Sequence, residues 1–486
     1  MNEEIYTLKP ERLWHYFGEI LKIPRPSKKE ENIAAYLMAF GKEHGLETLR
    51  DDIGNVIIRK PASAGKENVK SVVLQSHMDM VCEKNADTVH DFDTDPIEAF
   101  IEDGWVTAKG TTLGADDGIG IAAQLAILEA DDIEHGPIEC LITVDEETGL
   151  TGAFGLDPEI LQSRILLNLD SEDDGQIFIG CAGGRDTVAE LPYSKEDVPA
   201  GYKAYKISVT GLRGGHSGDD IQKGYGNANK ILNRFLWNAS KEYGLLLSEF
   251  NAGNLRNAIA REGFAVAMIP EGQAGNFERF AGKFNDTVKA ELKATEPGLT
   301  LACEQTDTPA FIIDINTQNK LLNAVYACPH GVIAWSQDIE NFVETSTNLA
   351  SVKFKDKHIL ITTSQRSSVE SSKNDICAMV ASTFRLAGAK TMHTDGYPGW
   401  TPNPDSEIVD ITAKVYEDLF ATEPEVLAIH AGLECGLIGD KYPDMDMVSY
   451  GPTIKGAHSP DERINIKTVE KFWDMTLEIL KRIPAE

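Results

Sequence analysis

Three apolar runs in this chain stop on side chains that ligate metal ions. "SVVLQSH" ends at His77 with Asp79 just beyond it, "IECLITVDEE" ends at Glu146 and Glu147, and "RILLNLD" ends at Asp170. A glycine-rich loop, "GTTLGADDGIG", adds Asp116 and Asp117, and "SYGPTIKGAHSPDERI" adds His458. Adjacent carboxylates at the end of a buried strand repel one another, so a positive charge must meet them. Histidine and carboxylate without cysteine suit Zn, Mn or Co, and a pair of such ions needs one oxygen ligand that bridges them. Two ions would polarise a carbonyl and bring the pKa of a shared water toward neutrality. The doublet Glu146-Glu147 can then supply a proton acceptor as well as a ligand, because adjacent residues at a strand end point different ways. Singly, each residue has a plain structural reading: a strand-end histidine packs, Asp117 fits a helix N-cap, and acidic loops are solvated. The set at the ends of sheet strands favours the metal.

Such side chains need a sheet whose carboxyl ends gather at one place. Residues 8–46 hold two amphipathic helical patterns, the second in "KKEENIAAYLMAFGKEHG", with Ser27 placed as N-cap and Gly45 as C-cap. Strand and helix then alternate: "NVIIRK" and "KSVVLQSHMDM" are strands, "ADDGIGIAAQLAILEADD" is a helix, and "IECLITVDEE" and "RILLNLDSE" are further strands. Strands apolar on both faces between helices indicate the α/β class, with a mixed, largely parallel sheet covered by helices and its chemistry at strand carboxyl ends. After about Asp186 the runs "KAYKISVTGLRGG", "FAVAMIP" and "HILITTSQR" alternate polar and apolar residues, as in an antiparallel sheet with one solvated face. The α/β pattern returns after about residue 398 with "SEIVDITAKVYEDLF" and "MDMVSYGP". The expected organisation is one discontinuous domain, residues 1–186 and 399–486, interrupted by an α+β domain of residues 187–398 with room for two similar subdomains.

Composition narrows the function classes. The net charge of -31 would repel a phosphate backbone and there is no basic stripe to offset it, so nucleic acid and anionic membrane are excluded as partners. The start, "MNEEIYTLKP", lacks a basic segment followed by an apolar one, and no run approaches the about 18 apolar residues of a membrane span, which leads to the expectation of a cytoplasmic protein. Seven scattered cysteines without a CxxC pair argue against a disulfide framework or a thiolate zinc site.

In this order, "SHMDMV", "GTTLGADDGIG", "VDEETGLTGA", "NLDSED", "GLRGGHSGDDI" and "GAHSPDERI" resemble the motifs of the dinuclear zinc exopeptidase family of aminoacylases, glutamate-releasing carboxypeptidases, tripeptide peptidases and carnosinases. The likeness spans essentially the whole chain, "HAGLECG" included, and is greatest to the branch that cleaves Xaa-His and carnosine-like dipeptides such as β-alanyl-histidine. The resemblance implies a catalytic domain interrupted by a lid domain and two divalent ions, Zn or else Mn or Co. His77 and Asp170 would hold one ion, Glu147 and His458 the other, and Asp116 both, with a cis peptide bond after it. Asp79 would fix the His77 imidazole, and Glu146 would be the general base that later protonates the leaving amine.

In the lid, the same resemblance implies that His216 donates to the oxyanion of the tetrahedral intermediate and that Arg366 grips the terminal carboxylate in a bidentate way. It implies a further polar contact from Asn257, and a place for His430 and Glu434 along the substrate pocket. Each has a structural alternative: a turn histidine between glycines, a surface arginine, a turn asparagine, a helix terminus. Tripeptide-cleaving relatives generally carry a shorter lid, and a longer one suits closure over a small substrate held at both ends, which points to dipeptides. A tripeptide peptidase or an N-acyl amino acid hydrolase is the alternative, and a homodimer through the lid is one open arrangement.

Overall fold

The computed structural model describes residues 4–337, 339–403 and 405–485. The chain forms two compact units, one of Met1–Gly180, Pro402–Ala428 and Leu433–Glu486, the other of Cys181–Thr401 and Ile429–Gly432.

The first unit is built on an eight-stranded sheet in the order Glu47–Arg50, Val56–Lys60, Ile138–Thr143, Val72–His77, Ile165–Asn168, Asp446–Ser449, Gln176–Cys181, Glu425–Ile429. The four strands from Ile138–Thr143 to Asp446–Ser449 run parallel, and the strands flanking them are antiparallel. Val72–His77 and Ile138–Thr143 are buried along their whole lengths, as expected of strands covered on both faces and rich in Val, Ile and Leu. The helix Ala115–Glu129 is apolar nearly all round and buried from Asp117 to Leu128, while Glu407–Phe420 and Ile466–Arg482 are amphipathic and keep a polar face in water. The sheet is thus α/β and largely parallel at its centre, with the carboxyl ends of four adjacent strands on one edge. A small antiparallel sheet, in the order Ile454–Lys455, Arg463–Asn465, Trp105–Ala108, Ala99–Glu102, holds the loop 456–462 between its first two strands.

Two local expectations fail for identifiable reasons. Ser27 does not cap the second helix, which begins at Glu31; its hydroxyl is drawn instead to the buried Asp79 carboxylate at 2.8 Å. The run "IECLITVDEE" leaves the sheet at Thr143, and Asp145 in the left-handed region starts a short helix, Glu146–Gly149. Glu146 and Glu147 therefore diverge by a helical step rather than by strand alternation. The turn is held by Thr148 and Thr151, whose hydroxyls donate to the Asp145 carboxylate.

The second unit is built on a nine-stranded antiparallel sheet in the order Thr300–Gln305, Tyr202–Thr210, Gly263–Pro270, Leu246–Gly253, Val343–Phe354, His358–Ser367, Gly183–Pro192, Lys390–His393, with Gly331–Trp335 also on Val343–Phe354, beside a two-stranded sheet of Lys195–Glu196 and Ile312–Ile313. Helices Ala228–Tyr243, Ala274–Glu291, Ile315–Ala327 and Glu370–Leu386 share a single core that includes Phe235, Phe277, Leu321 and Phe384. Among the described residues no helix is long and apolar enough to cross a membrane.

Candidate metal centre

Parallel strands place the side chains that follow their last residues at one edge. His77 ends its strand, Glu146 and Glu147 follow Ile138–Thr143, and Asp170 follows Ile165–Asn168. Asp116 comes from the first turn of Ala115–Glu129, where Gly114 takes φ 71° and the bond between Asp116 and Asp117 is cis. The backbone is kinked at Asp116 and Asp117, and Asp117 Oδ1 accepts the Gly120 N–H at 3.0 Å, which caps the regular helix beyond the kink. His458 arrives in the loop 456–462 with φ 63°.

These residues converge. His77 Nε2 lies 2.9 Å from Asp116 Oδ1 and 3.2 Å from Asp170 Oδ1, and His458 Nε2 lies 3.1 Å from Asp116 Oδ2 and 3.0 Å from Glu147 Oε2. Ligand atoms of His77, Asp116 and Asp170 fall within 4.8 Å of one another, as do those of Asp116, Glu147 and His458 and those of His77, Glu146 and Glu147. Asp116 thus turns one oxygen to each histidine, the disposition a bridging carboxylate requires. Behind His77, Asp79 is fully buried with Oδ1 3.4 Å from Nδ1.

The electrostatics ask for cations. Burial raises Asp170 to about 7, and it drives Glu146 well above the usual carboxylate range with help from Asp170, Glu434 and Glu147. Hydrogen bonds to Asp116 and Glu147 push His458 up to about 11. In Asp116 burial acts upward, but His458 and His77 outweigh it and hold the carboxyl below its ordinary range. A pair of divalent ions among these side chains would neutralise the carboxylates. Glu147 Oε1 is buried without a hydrogen-bond partner, and the donor set of two imidazoles and three carboxylates fits a pair of divalent ions.

The model of peptidase family M20/M25/M40 matches residues 73–482, a span that contains every one of these side chains. The chain belongs to this family. It is 45% identical over 483 residues to the cytosol non-specific dipeptidase of Escherichia coli (strain K12), covering 99% of this chain and 100% of that protein. The crystal structure of aminoacylhistidine dipeptidase from Vibrio alginolyticus superposes with a TM-score of 0.94 at 45% identity, covering 100% of this chain and 99% of that one. A tripeptidase structure from Staphylococcus aureus, at 18% identity and TM-score 0.56 over 98% of this chain and 99% of that one, shares the fold.

In this family member the remaining site residues of the sequence reading fall into two places. Glu434 opens the helix Glu434–Lys441 in the first unit, has no exposed surface, and accepts from Gln75 Nε2 at 2.6 Å and Thr143 Oγ1 at 2.7 Å; burial lifts it to about 8. The other four lie in the second unit. Arg366 is buried rather than on the surface, donating to Tyr397 Oη at 3.0 Å with His216 Nε2 at 3.4 Å. His216 holds its Nδ1 3.1 Å from Asp219 Oδ2. Asn257 is exposed, and its backbone carbonyl, not its amide, accepts the Ser217 N–H. His430 is buried with Nε2 2.7 Å from Ser346 Oγ.

Sequence reading passed over Arg25. Its buried guanidinium donates to the carbonyls of Met78 at 3.1 Å and Asp79 at 2.7 Å, and to that of Gly114. A Cβ at Gly114 would stand 2.7 Å from Arg25 Nη2, so this approach needs glycine. An arginine between two prolines, in "IPRPS", was the available signal.

Proposed function

We propose that the chain is a metal-dependent dipeptidase that hydrolyses small dipeptides with a free amino terminus, Xaa-His and β-alanyl-histidine among them. One observation carries the reading: the two oxygens of Asp116 face His77 and His458 separately, with Asp170 and Glu147 completing the two groups. Relatives at 45% identity over the whole chain are named as dipeptidases, one of them for aminoacyl-histidine, which supports dipeptides over tripeptides or N-acyl amino acids.

His77, Asp116 and Asp170 would hold one divalent ion, and Asp116, Glu147 and His458 the other. Bound there, Zn, Mn or Co supplies Lewis acidity to the scissile carbonyl and to an attacking water. Asp79 keeps His77 in the tautomer and orientation that present Nε2 outward. Glu146 takes the proton from the water and returns it to the leaving amine, a role matched to a carboxyl whose affinity for protons burial has raised. We assign the second unit as the lid, with Arg366 as a planar fork for the substrate carboxylate and His216 as the donor to the oxyanion.

The test is metal content and hydrolysis measured together. The purified chain, stripped with chelator and reconstituted with Zn, Mn or Co, should bind two ions and regain cleavage of β-alanyl-histidine and Xaa-His dipeptides over tripeptides and N-acetyl amino acids. A chain that cleaves equally well when stripped, or that prefers tripeptides, overturns the reading.

A further inference from the structure

The loop that carries His458 is anchored by a residue outside the ligand set. Glu462 lies four positions after His458, is 2% exposed, and turns its carboxylate onto four consecutive backbone N–H groups of the loop leading to Asp116. Its Oε2 accepts from Leu113 at 2.7 Å and Gly114 at 2.9 Å, and its Oε1 from Ala115 at 2.7 Å and Asp116 at 3.4 Å. No other side chain ties the 456–462 loop to residues 113–116 by hydrogen bonds apart from the ligand pair itself, among the bonds of the described residues.

His458 needs such an anchor. Its side chain is 54% exposed, its backbone sits at φ 63°, and its Nε2 meets the carboxylates of Asp116 and Glu147. With more than half of the side chain in solvent, its place relative to Asp116 depends on how the two backbones are held. Glu462 holds residues 113–116 by accepting their amides, and Arg25 donates to the carbonyl of Gly114. A carboxylate is required for the first task, because four inward-pointing N–H donors need two oxygens with no hydrogen of their own. A buried anion with no cation in hydrogen-bond contact would otherwise be costly, and the amide cradle at the start of helix Ala115–Glu129 offsets that cost.

We infer that Glu462 is a positioning residue that fixes Asp116 and His458 relative to each other and so sets the affinity of the ion shared by Asp116, Glu147 and His458. The inference rests on the metal-centre reading above. It goes beyond a simple helix cap, because a cap would support the fold without discriminating between the two ions.

Cobalt(II) titration of the stripped full chain, followed by visible absorption and calorimetry, separates the cases. The wild type should take two ions, and His458→Ala supplies the spectrum of the chain lacking the second. Glu462→Gln places N–H groups against N–H groups and should weaken the second ion about 10- to 100-fold, the usual effect of losing a group that orients ligands, with the first ion retained. Glu462→Asp keeps the carboxylate and should recover part of that affinity, and it carries the test if the Gln variant does not fold. On the His458→Ala background, Glu462→Gln should cause no further loss. Two wild-type ions with a Glu462→Gln variant that binds both as the wild type does, or weakens both equally, overturn this inference alone. A wild type that takes fewer than two ions overturns the metal reading and this inference with it.

Discussion

The carboxylate of Asp79 accepts the backbone N–H of Glu146 at 3.0 Å while its Oδ1 stands 3.4 Å from His77 Nδ1. It also accepts the Glu147 N–H at 3.3 Å and the Ser27 hydroxyl at 2.8 Å. One buried anion therefore orients both the His77 imidazole, proposed above as a metal ligand, and the turn that bears Glu146 and Glu147, the proposed base and second ligand.

Replacing Asp79 should damage both functions at once. Asp79→Asn swaps an acceptor oxygen for donors that face N–H groups, leaving buried amides unpaired at a cost of about 1 to 3 kcal/mol. We expect metal affinity to fall about 10- to 100-fold and activity at saturating metal to stay low because Glu146 is displaced. Full activity restored by excess metal would show that Asp79 serves His77 alone.

Glu146→Gln should separate binding from chemistry. Glu146 belongs to neither of the two groups that share Asp116, so both ions should remain at wild-type stoichiometry while kcat falls about 10²- to 10⁴-fold, the range for a removed acid-base group. Metal analysis beside steady-state kinetics checks this, and a variant that keeps its rate removes Glu146 from the mechanism.

The reach of the sequence can be judged from these residues. The central sheet was legible because Val72–His77 and Ile138–Thr143 are apolar without alternation, and a parallel sheet sends whatever follows such strands to one edge. The set of imidazoles and carboxylates that could hold ions was legible because side-chain type alone carries it. What stayed hidden works through backbone atoms far away in the chain: Glu462 grips amides 346 to 349 positions earlier, and Arg25 grips carbonyls 53 to 89 positions later. A pattern of residue types records no such pairing. Ser27 went to Asp79 instead of a helix terminus for the same reason, since local propensity cannot see a carboxylate delivered from another strand.

Arg366 offers a test of substrate capture. Its guanidinium is already oriented by Tyr397, Ser217 and His216, so little further ordering is needed to clamp a planar carboxylate. Arg366→Lys keeps the charge but loses the fork, and it should raise KM for dipeptides well above any change in kcat. Dipeptide amides, which lack the terminal carboxylate, should then be cleaved alike by variant and wild type. A variant that discriminates against the amides as strongly as the wild type would assign the carboxylate to another residue.

His430 makes a prediction about acid. Burial, then the nearby Arg366 charge, pushes its pKa down to about 3, so the ring is neutral in the folded chain. In the unfolded chain it titrates at about 6.5. Between these values the unfolded state binds the extra proton, so stability falls as pH drops below about 6.5, by up to about 1.4 kcal/mol per unit, and is unaffected above it. Urea unfolding between about pH 6.5 and 5, where most carboxylates stay ionised, should show a shallower dependence in His430→Gln than in the wild type. Equal slopes would mean that His430 gains its proton without unfolding.

Metal removal should weaken the fold as well as the reaction. Asp116, Glu147 and Asp170 gather around two histidines, and one oxygen of Glu147 is buried without a hydrogen-bond partner. An ion that binds the folded chain alone stabilises it by about 2.7 kcal/mol at a hundred times its Kd, which for a unit of this size corresponds to roughly 5 to 11 °C in Tm. Chelation should therefore lower Tm by several degrees, and Zn, Mn or Co should restore it. The same treatment of His458→Ala should give a smaller shift, because one of the two ligand groups is already broken. If the stripped wild type melts where the loaded one does, these carboxylates are held by the protein alone and no ion is needed to reconcile them.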